Sequence, residues 1–279
     1  MKLSPSCYDC LKRLIIQAAS MATNDVVERE CVIQEGIDIL DTYFSRDQVS
    51  IVVATRLHDA IKLRTGNSDP YRDMKDIEIA VARTLSHELE NTYNHSFSGL
   101  LKFAAMGNAI DFFCPIESVK QEIRQDVSFA IDMSAEFEKR LKSARGILYL
   151  ADNTGEAFFD LPLLQWMRQF ARVTYVVKSA PVQNDITLDE LHRAGLLTEF
   201  GDVITTGTAS PGIDFIQASG EFRHRFDTAD IIFAKGMGYY ESLSELPSDG
   251  RILYCLKAKC QPVSDSLNVP LHSYVTLVQ

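Results

Sequence analysis

The segment ILYLADNTGE, residues 147–156, decides the fold that we predict, because an apolar run passes there directly into a cluster of polar residues. Four more apolar runs, at residues 173–177, 202–205, 231–234 and 252–256, end in the same way. Short runs rich in β-branched residues, separated by stretches of helix length, are typical of parallel strands joined by crossover helices. The sequence therefore predicts an α/β fold built on a mostly parallel sheet.

The polar clusters that follow these runs are expected to meet in space. An open parallel sheet binds ligands beyond the carboxyl ends of its strands, where neighbouring clusters lie side by side. In chain order the clusters are residues 152–156, 178–185, 206–212, 235–238 and 257–260. We therefore expect a single active site that draws on these strand ends.

The first half of the chain has a different pattern. Apolar residues recur at helical spacing from Ser6 to about Ser143, and strand signals alternate with helix signals only from Arg145 onward. This pattern predicts a helical subdomain at residues 1–144 and an α/β domain at 145–279, packed together with the active site between them. Within the second half, helices are expected at about residues 160–170, 187–195, 212–219 and 239–246.

Composition limits the classes of function. The chain has 279 residues, 46% of them hydrophobic, which is enough to bury a full core. A formal net charge of −10 argues against a nucleic-acid partner, because proteins that bind nucleic acid usually present a basic face. No apolar run approaches the roughly 20 residues of a membrane-spanning helix, and the first residues start no signal-peptide core. With six scattered cysteines, we expect a cytoplasmic protein that has no membrane partner.

Two acid–amide pairs follow neighbouring strands: Asp152 with Asn153, and Asn184 with Asp185. Their oxygens are hard ligands, which suit Mg²⁺ or Mn²⁺ better than Zn²⁺. Either pair alone is equally typical of a helix cap or a turn. Their shared position relative to the sheet favours a divalent metal site.

Two glycine-containing turns next to these pairs suit an anion. Gly155 stands between Thr154 and Glu156, where a turn without a side chain lets backbone amides approach a phosphate. Gly207 lies in a second such stretch, among threonine and serine hydroxyls. Both glycines are also typical of an ordinary turn after a strand.

Lysines at the strand ends are candidates to bind a phosphate. Lys235, followed by Gly236, ends an apolar strand, so its ammonium needs a polar partner, either a bound phosphate or carboxylate, or a site acid in a structural salt bridge. Lys178 has the same alternatives. Lys257 and Lys259 are also typical of solvated lysines at the end of a strand.

Several motifs are absent or incomplete. Cys7 and Cys10 form a CxxC, but a structural zinc site needs further ligands at recognisable spacing, and no second CxxC exists. Cys260 or Cys31 is a candidate to complete a cluster, and packing cysteines on the first helix are the alternative. The chain has no HExxH, GxSxG, P-loop or GxGxxG, which disfavours zinc hydrolases, serine hydrolases, P-loop NTPases and standard Rossmann dehydrogenases.

Three ordered motifs carry a resemblance to a known family: DNTGE at 152–156, the lysine-to-aspartate stretch at 178–185, and KGMGYYE at 235–241. Together with the CxxC, DPYR at 69–72 and GNAID at 107–111, they span nearly the whole chain. The chain resembles the damage-control phosphatase family, and within it the small microbial branch. The resemblance implies a helical amino-terminal subdomain packed on a Rossmann-like three-layer αβα sandwich. It also implies a metal-dependent phosphatase that acts on small phosphorylated metabolites, such as sugar phosphates or damaged or surplus cofactor precursors.

Matching the family motif by motif assigns roles to individual residues. The family's metal ligands fall on Asp152, Asn153 and Asp185. Its phosphate-contacting lysine falls on Lys235. Asn108 and Asp111 match a segment that borders the pocket, although a capped helix end accounts for them as well. Glu156 and Glu241 also match, without a defined role.

The hypothesis from the sequence is a metabolite-repair hydrolase with one divalent cation, Mg²⁺, Mn²⁺, Co²⁺ or Ni²⁺, that polarises the phosphoryl group. The residues expected to act in catalysis are Asp152, Asp185 and Lys235. The residues expected to bind the substrate are Asn108, Asp111, Thr154, Gly155, Glu156, Gly207, Lys235 and Gly236. Attack by water is favoured over an aspartyl phosphate, because position 154 is threonine where such enzymes carry a second carboxylate. Two alternatives stay open: an S-adenosylmethionine-dependent carboxyl methyltransferase, and a non-catalytic sensor of a phosphorylated metabolite.

Overall fold

A computed structural model of the chain describes residues 1–109, 119, 121 and 123–279. Asp111, which the sequence predicts to bind substrate, lies outside the described residues. The amino-terminal part consists of helices α1 (Ser6–Ala22), α2 (Val26–Tyr43), α3 (Ser50–Thr65), α4 (Arg72–Leu89) and α5 (Phe97–Gly107), with a short 3₁₀ turn at Glu90–Thr92. Apolar faces of α1, α2 and α3 pack on one another through Leu11, Ile15, Leu40 and Leu57.

Strands and helices alternate from residue 129 to the end of the chain. The strands are β1 (Phe129–Asp132), β2 (Gly146–Leu150), β3 (Arg172–Val177), β4 (Val203–Thr205), β5 (Ile231–Lys235), β6 (Ile252–Lys257) and β7 (Tyr274–Val278). The helices are α6 (Ser134–Ser143), α7 (Ala157–Met167), α8 (Leu188–Arg193), α9 (Leu197–Phe200), α10 (Gly220–Thr228), α11 (Gly236–Leu243) and α12 (Gln261–Leu267), and a 3₁₀ turn at Thr154–Glu156 precedes α7.

The seven strands form one sheet in the order β1-β7-β6-β5-β2-β3-β4. All neighbouring pairs are parallel except β6 with β7. Leu148 of β2 pairs with Thr174 of β3 on one side and with Ile232 of β5 on the other. The chain therefore reverses its direction of travel across the sheet at β2, and the crevice above such a point is where open α/β sheets bind ligands.

Hydrophobic cores cover both faces of the sheet. On one face, Phe103 of α5 and Phe159 of α7 pack at a ring separation of 4.9 Å above Tyr149 and Phe233. On the other face, Leu150 and Ile232 are buried under residues of α10 and α11 that include Phe222 and Tyr239. The predicted fold class, a mostly parallel sheet between helical layers with a helical amino-terminal part, is confirmed.

Two of the predicted helical stretches are wrong in detail. β1 lies in the region that was predicted to be helical, because its short alternating pattern contains only two half-buried apolar residues, Phe129 and Ile131, and belongs to an edge strand. Residues 212–219 form a loop, since Gly212 has a φ of +136° and the Asp214 carboxylate accepts a hydrogen bond from Ile216 N. Helix α10 begins only after Ser219, whose hydroxyl caps Phe222 N at 3.0 Å. The predicted domain boundary at Ala144 stays a prediction.

Among the residues that the structure describes, none of the helices is both long enough and apolar enough to cross a membrane.

Candidate active site

A cavity of about 650 Å³ lies where the carboxyl ends of the central strands meet helices α1 and α3. Residues that follow the strands form one wall: Asp152, Asn153, Asn184, Asp185, Met237, Gly238, Lys257 and Lys259. The helical part supplies the opposite wall: Cys7, Cys10, Arg13, Leu14, Ile51 and Ala54. Asn108, at the end of α5, also lines the cavity. The three predicted metal ligands and Asn108 are thus brought together.

Backbone hydrogen bonds lock the two acid–amide loops to each other. Asn153 and Asp185 form an isolated antiparallel bridge, and Ile186 N donates to the Asp152 carbonyl at 3.0 Å. The amide and the hydroxyl of Thr154 both donate to the Asn184 carbonyl at 2.9 Å. The Thr154 amide is therefore already engaged within the protein, and the expectation that it binds a phosphate oxygen is not supported.

The Asp152 and Asp185 carboxylates lie in an environment that disfavours their charge. Burial raises the pKa of Asp152 well above its usual range, and the nearby carboxylates of Glu156 and Asp185 raise it further. Burial also raises the pKa of Asp185 to about 6, although Lys178 acts in the opposite direction. Asp185 Oδ2 lies 3.5 Å from Lys178 Nζ and accepts no hydrogen bond from the described residues.

This donor set fits a hard divalent cation. Asn153 Nδ2 donates to Glu156 Oε1 at 2.8 Å, which leaves Asn153 Oδ1 as the atom able to act as a ligand. Asp152, Asn153 and Asp185 all line the cavity, and a cation shared by their two carboxylates and one amide oxygen would relieve the repulsion between the carboxylates. Within the described residues, no group of three or more His, Cys, Asp or Glu side chains is arranged to hold a metal, so a cation at this position would need the Asn153 amide oxygen as a ligand.

Lys235 is the centre of a buried ion-pair network beneath the cavity. Its ammonium lies 2.7 Å from Glu156 Oε2 and 2.8 Å from Asp160 Oδ1, and it donates to the Ala104 carbonyl at 2.8 Å. Burial lowers the pKa of Lys235, but the two carboxylates outweigh this effect and raise it. Lys235 is fully buried and does not line the cavity. A direct contact with phosphate would break this network, so the structure supports the salt-bridge alternative.

Glu156 connects this network to the cavity wall. Its carboxylate accepts hydrogen bonds from the side-chain amides of Asn153 and Asn108 and pairs with Lys235. Because Glu156 is fully buried, it does not touch a ligand in the cavity. The predicted substrate contact of Glu156 is better explained as a contact that orients Asn153 and Asn108.

The glycines predicted to bind substrate have different positions. Gly155 is buried in the 3₁₀ turn and does not line the cavity. Gly207, at a φ of +80°, packs against the backbone of Ser219 at the start of α10, so its small size serves packing there. Gly236 has a φ of +78° and brings its Cα directly against the Asp152 carboxylate.

We expect Gly236→Ala to disable the site, because the added methyl group would overlap the Asp152 carboxylate. Left-handed backbone alone costs an alanine about 1 kcal/mol. Gly66→Ala is the matched control, since Gly66 has a φ of +66° and open space around its Cα. Both variants should lose stability in a urea titration, Gly236→Ala more than Gly66→Ala because of the overlap, whereas only Gly236→Ala should lose divalent-metal affinity in calorimetry. Unchanged metal affinity in Gly236→Ala would contradict this placement.

Lys178 supports the loop that carries Asp185. The buried ammonium donates to the Gly212 carbonyl at 2.8 Å and to the Tyr239 hydroxyl at 3.0 Å, and it lies 4.1 Å from the Tyr239 ring centre. Burial lowers the pKa of Lys178, while Asp185 and Asp152 oppose this change. Like Lys235, it does not line the cavity.

Lys257 and Lys259 line the cavity, although the sequence pattern was equally typical of solvated lysines at the end of a strand. Lys257 is buried and Lys259 half-buried, and both are close enough to ligand space to line the wall beside Asp152. Lys259 lies near enough to Asp152 to lower the pKa of that carboxyl. Lys257 ends β6 and Lys259 follows that strand, so both obey the same strand-end rule as Lys235. Glu241, which the family resemblance matched without a defined role, lines the same cavity. Arg13 lines it too, and nothing in the sequence indicated this residue.

Comparisons with known proteins agree with this architecture. The family model of the damage-control phosphatase ARMT1-like domain matches residues 3–275. A Pyrococcus horikoshii protein named as a damage-control phosphatase is 33% identical over 99% of this chain and 98% of its own length. An Archaeoglobus fulgidus protein of the same name is 30% identical, with 100% and 99% covered. The crystal structure of a DUF89 family protein from Pyrococcus horikoshii superposes with a TM-score of 0.91 at 32% identity, covering 100% of this chain and 99% of that one.

Proposed function

The chain belongs to the damage-control phosphatase ARMT1-like family, and from this premise we propose that it is a phosphatase that uses one divalent cation to hydrolyse phosphate monoesters of small metabolites. Relatives that cover the whole chain and are named damage-control phosphatases support a phosphatase. The observation that carries the metal dependence is the pair of cavity-facing carboxylates, Asp152 and Asp185, whose pKa values are raised by burial. A cavity of about 650 Å³ has the size of a small-molecule site.

Three residues of the cavity wall would hold the cation: Asp152, Asn153 through Oδ1, and Asp185. A divalent cation at this position, Mg²⁺, Mn²⁺, Co²⁺ or Ni²⁺, supplies Lewis-acid polarisation of the phosphoryl group and a lowered pKa for water. Glu156 fixes the rotamer of Asn153 by accepting a hydrogen bond from its side-chain amide, and Glu156 is held in place by its ion pair with Lys235.

Lys257 and Lys259 neutralise the phosphate oxygens that face away from Asp152 and Asp185. Among the described residues, they are the two lysines that line the cavity, and electrostatic stabilisation of the transferring phosphoryl group is the main catalytic need in this reaction. Asn108 lines the same cavity, and its side-chain amide donates a hydrogen bond to Glu156.

Direct attack by water is preferred to an aspartyl-phosphate route. A nucleophilic Asp152 would need a nearby acid to protonate the leaving alkoxide, and the residue two positions later is Thr154. The Thr154 hydroxyl donates to the Asn184 carbonyl at 2.9 Å and is buried away from the cavity. A carboxylate oxygen of Asp152 or Asp185 that does not hold the cation would be the group of this wall that accepts a proton from water.

The test is phosphate release by the chelated protein, with each of the four cations restored separately. The substrates are p-nitrophenyl phosphate, sugar phosphates and phosphorylated cofactor precursors. We expect no turnover in chelator, turnover with at least one cation, and a ranking that identifies the substrate class. A folded, metal-loaded protein that releases no phosphate from any ester would contradict the proposal and favour the methyltransferase or sensor alternatives.

A substitution of Lys259 tests the assignment of the phosphate-binding cation. We expect Lys259→Met to lower kcat/KM by about a hundredfold, the effect typical of removing one group that stabilises developing negative charge. Lys12→Met is the control, because Lys12 is an exposed lysine of α1 that does not line the cavity. Steady-state kinetics with saturating metal measures the effect, and wild-type kinetics in Lys259→Met would return the role to another residue.

A further inference from the structure

Glu78 is a fully buried carboxylate on α4 that has no role in the proposed metal site or in the proposed phosphate binding. Its Oε1 accepts a hydrogen bond from Asn184 Nδ2 at 2.7 Å, and both side chains are buried. A buried carboxylate is costly unless it has defined partners, so its presence beneath a polar loop needs a reason. The partner residue, Asn184, immediately precedes the proposed metal ligand Asp185.

The loop that Glu78 contacts is strained. Gln183 has a φ of +47°, a left-handed conformation that is unfavourable for a residue with a side chain. The turn is closed by a hydrogen bond from Asp185 N to the Val182 carbonyl at 3.1 Å. Strained turns of this kind persist only where the surrounding contacts over-determine them.

Asn184 is the residue through which those contacts act. Its side-chain amide donates a hydrogen bond to Glu78, and its backbone carbonyl accepts hydrogen bonds from both the amide and the hydroxyl of Thr154. Thr154 follows Asp152 and Asn153 directly. Asn184 therefore forms hydrogen bonds with helix α4 through its side chain and with the Asp152 loop through its backbone carbonyl. Its position fixes the separation of the two ligand loops.

Helix α4 is itself rigidly anchored next to this contact. The buried ammonium of Lys75, one turn before Glu78, lies 2.8 Å from Asp69 Oδ2 and 2.7 Å from Glu190 Oε1. Glu190 in turn closes the capping box at the start of α8, just after the Asp185 loop. Glu78 therefore acts from a fixed support.

We propose that Glu78 is a positioning residue for the metal site: its hydrogen bond to Asn184 holds the strained turn so that Asp185 faces Asp152 and Asn153 Oδ1. This proposal rests on the metal site of the proposed function. Groups that orient metal ligands from behind typically change metal affinity or activity by about 10–100-fold when they are removed.

The experiment compares Mn²⁺ affinity by calorimetry in folded wild-type protein, Glu78→Leu and Glu78→Gln. Leucine removes the acceptor, and we expect it to weaken Mn²⁺ binding about 10–100-fold. Glutamine retains a carbonyl oxygen that can accept from Asn184 Nδ2, so we expect it to recover most of the affinity. Saturating Mn²⁺ should restore kcat in Glu78→Leu more fully than subsaturating Mn²⁺ does.

Thr276→Val controls for a general loss of stability. Thr276 is fully buried and bonds Met133 N and the Ile131 carbonyl at the sheet edge, remote from the cavity lining. It should unfold at lower urea concentration yet bind Mn²⁺ as the wild type does. A loss of stability alone therefore does not reproduce the expected effect.

Asn184→Ala removes the same hydrogen bond from its other end and serves if Glu78→Leu does not fold. Wild-type Mn²⁺ affinity in either folded variant overturns the role of Glu78 and leaves the metal site intact. Equal impairment of Glu78→Gln and Glu78→Leu overturns the hydrogen bond as the cause. A wild-type protein that binds no divalent cation overturns the metal site itself, and the role of Glu78 falls with it.

Discussion

Replacing Asp185 with asparagine is expected to lower metal-dependent phosphate release by about a thousandfold, because the change removes one of two anionic ligands and several kcal/mol of metal-derived stabilisation of the transition state. The asparagine has the same shape, and the backbone bridge to Asn153 does not depend on the side chain. The measurement is kcat/KM at a fixed Mn²⁺ concentration, followed by a Mn²⁺ titration of the variant.

The fold should tolerate this change. Burial raises the pKa of Asp185 to about 6, so the folded state binds the carboxyl proton more tightly than the unfolded state does. Protonation of Asp185 therefore makes the metal-free protein more stable below pH 6 than above it, and the ionised Asp185 carboxylate at pH 7 opposes folding. In chelator, Asp185→Asn removes this cost but also takes the carboxylate from the buried Lys178 ammonium, 3.5 Å away, which keeps the Gly212 carbonyl and the Tyr239 hydroxyl as partners. Because the two effects oppose each other, we expect only a small change in the urea midpoint.

Asp189→Asn is the matched control for that variant. Asp189 lies four residues later, is exposed, and pairs with Arg193 at 2.9 Å on the surface of α8. Exposed pairs of this kind contribute about 0.3–0.5 kcal/mol, so this variant should keep wild-type activity and stability. Equal activity losses in the two variants, or full activity in Asp185→Asn, would contradict the assignment of Asp185.

The largest expected loss of stability follows from Lys235→Met. Glu156 and Asp160 would remain buried without their shared cation, and breaking a buried ion pair by removing one partner costs about 3–5 kcal/mol. Urea unfolding in chelator measures this loss independently of any ligand. Lys142→Met is the control, because Lys142 pairs with Glu138 in an exposed i,i+4 arrangement.

This prediction distinguishes the two roles that the sequence left open for Lys235. A structural lysine should give a protein that is much less stable, and restoring charge balance with Asp160→Asn in the same chain should recover part of the loss. A phosphate-binding lysine should give a protein of nearly wild-type stability with a strongly raised KM. The second outcome would contradict the buried network as the function of Lys235.

The fold was predictable because its signal is local. Four of the five apolar runs, those of β2, β3, β5 and β6, are buried on both faces, and such strands need no alternation to be recognised. The edge strand β1 could not be predicted, because its half-buried pattern covers only four residues and its pairing partner β7 lies more than 140 residues later in the chain. The loop before α10 was predicted as a helix, because the local sequence suits both a helix and the Asx turn in which the Asp214 carboxylate accepts a hydrogen bond from Ile216 N.

The site was only partly predictable. The strand-end rule placed Asp152, Asn153 and Asp185 near one another, and the structure brings them to one wall. The same rule applied to Lys235 and Lys257, and the sequence favoured Lys235 as the lysine that binds phosphate. What separates them is the direction of each side chain relative to Glu156 and Asp160, which depends on packing between distant segments. Glu78 carried no signal, because its role depends on one tertiary hydrogen bond to Asn184.

The central claim is that Asp152, Asn153 and Asp185 hold the cation on which hydrolysis depends, and an anomalous-scattering map from crystals soaked in Mn²⁺ tests it most directly. We expect one strong peak at about 2.1 Å, the distance usual for small hard cations, from the two carboxylates and from Asn153 Oδ1. No peak at this position in protein whose hydrolysis requires Mn²⁺, or a peak beside Cys7 and Cys10 instead, would contradict the claim.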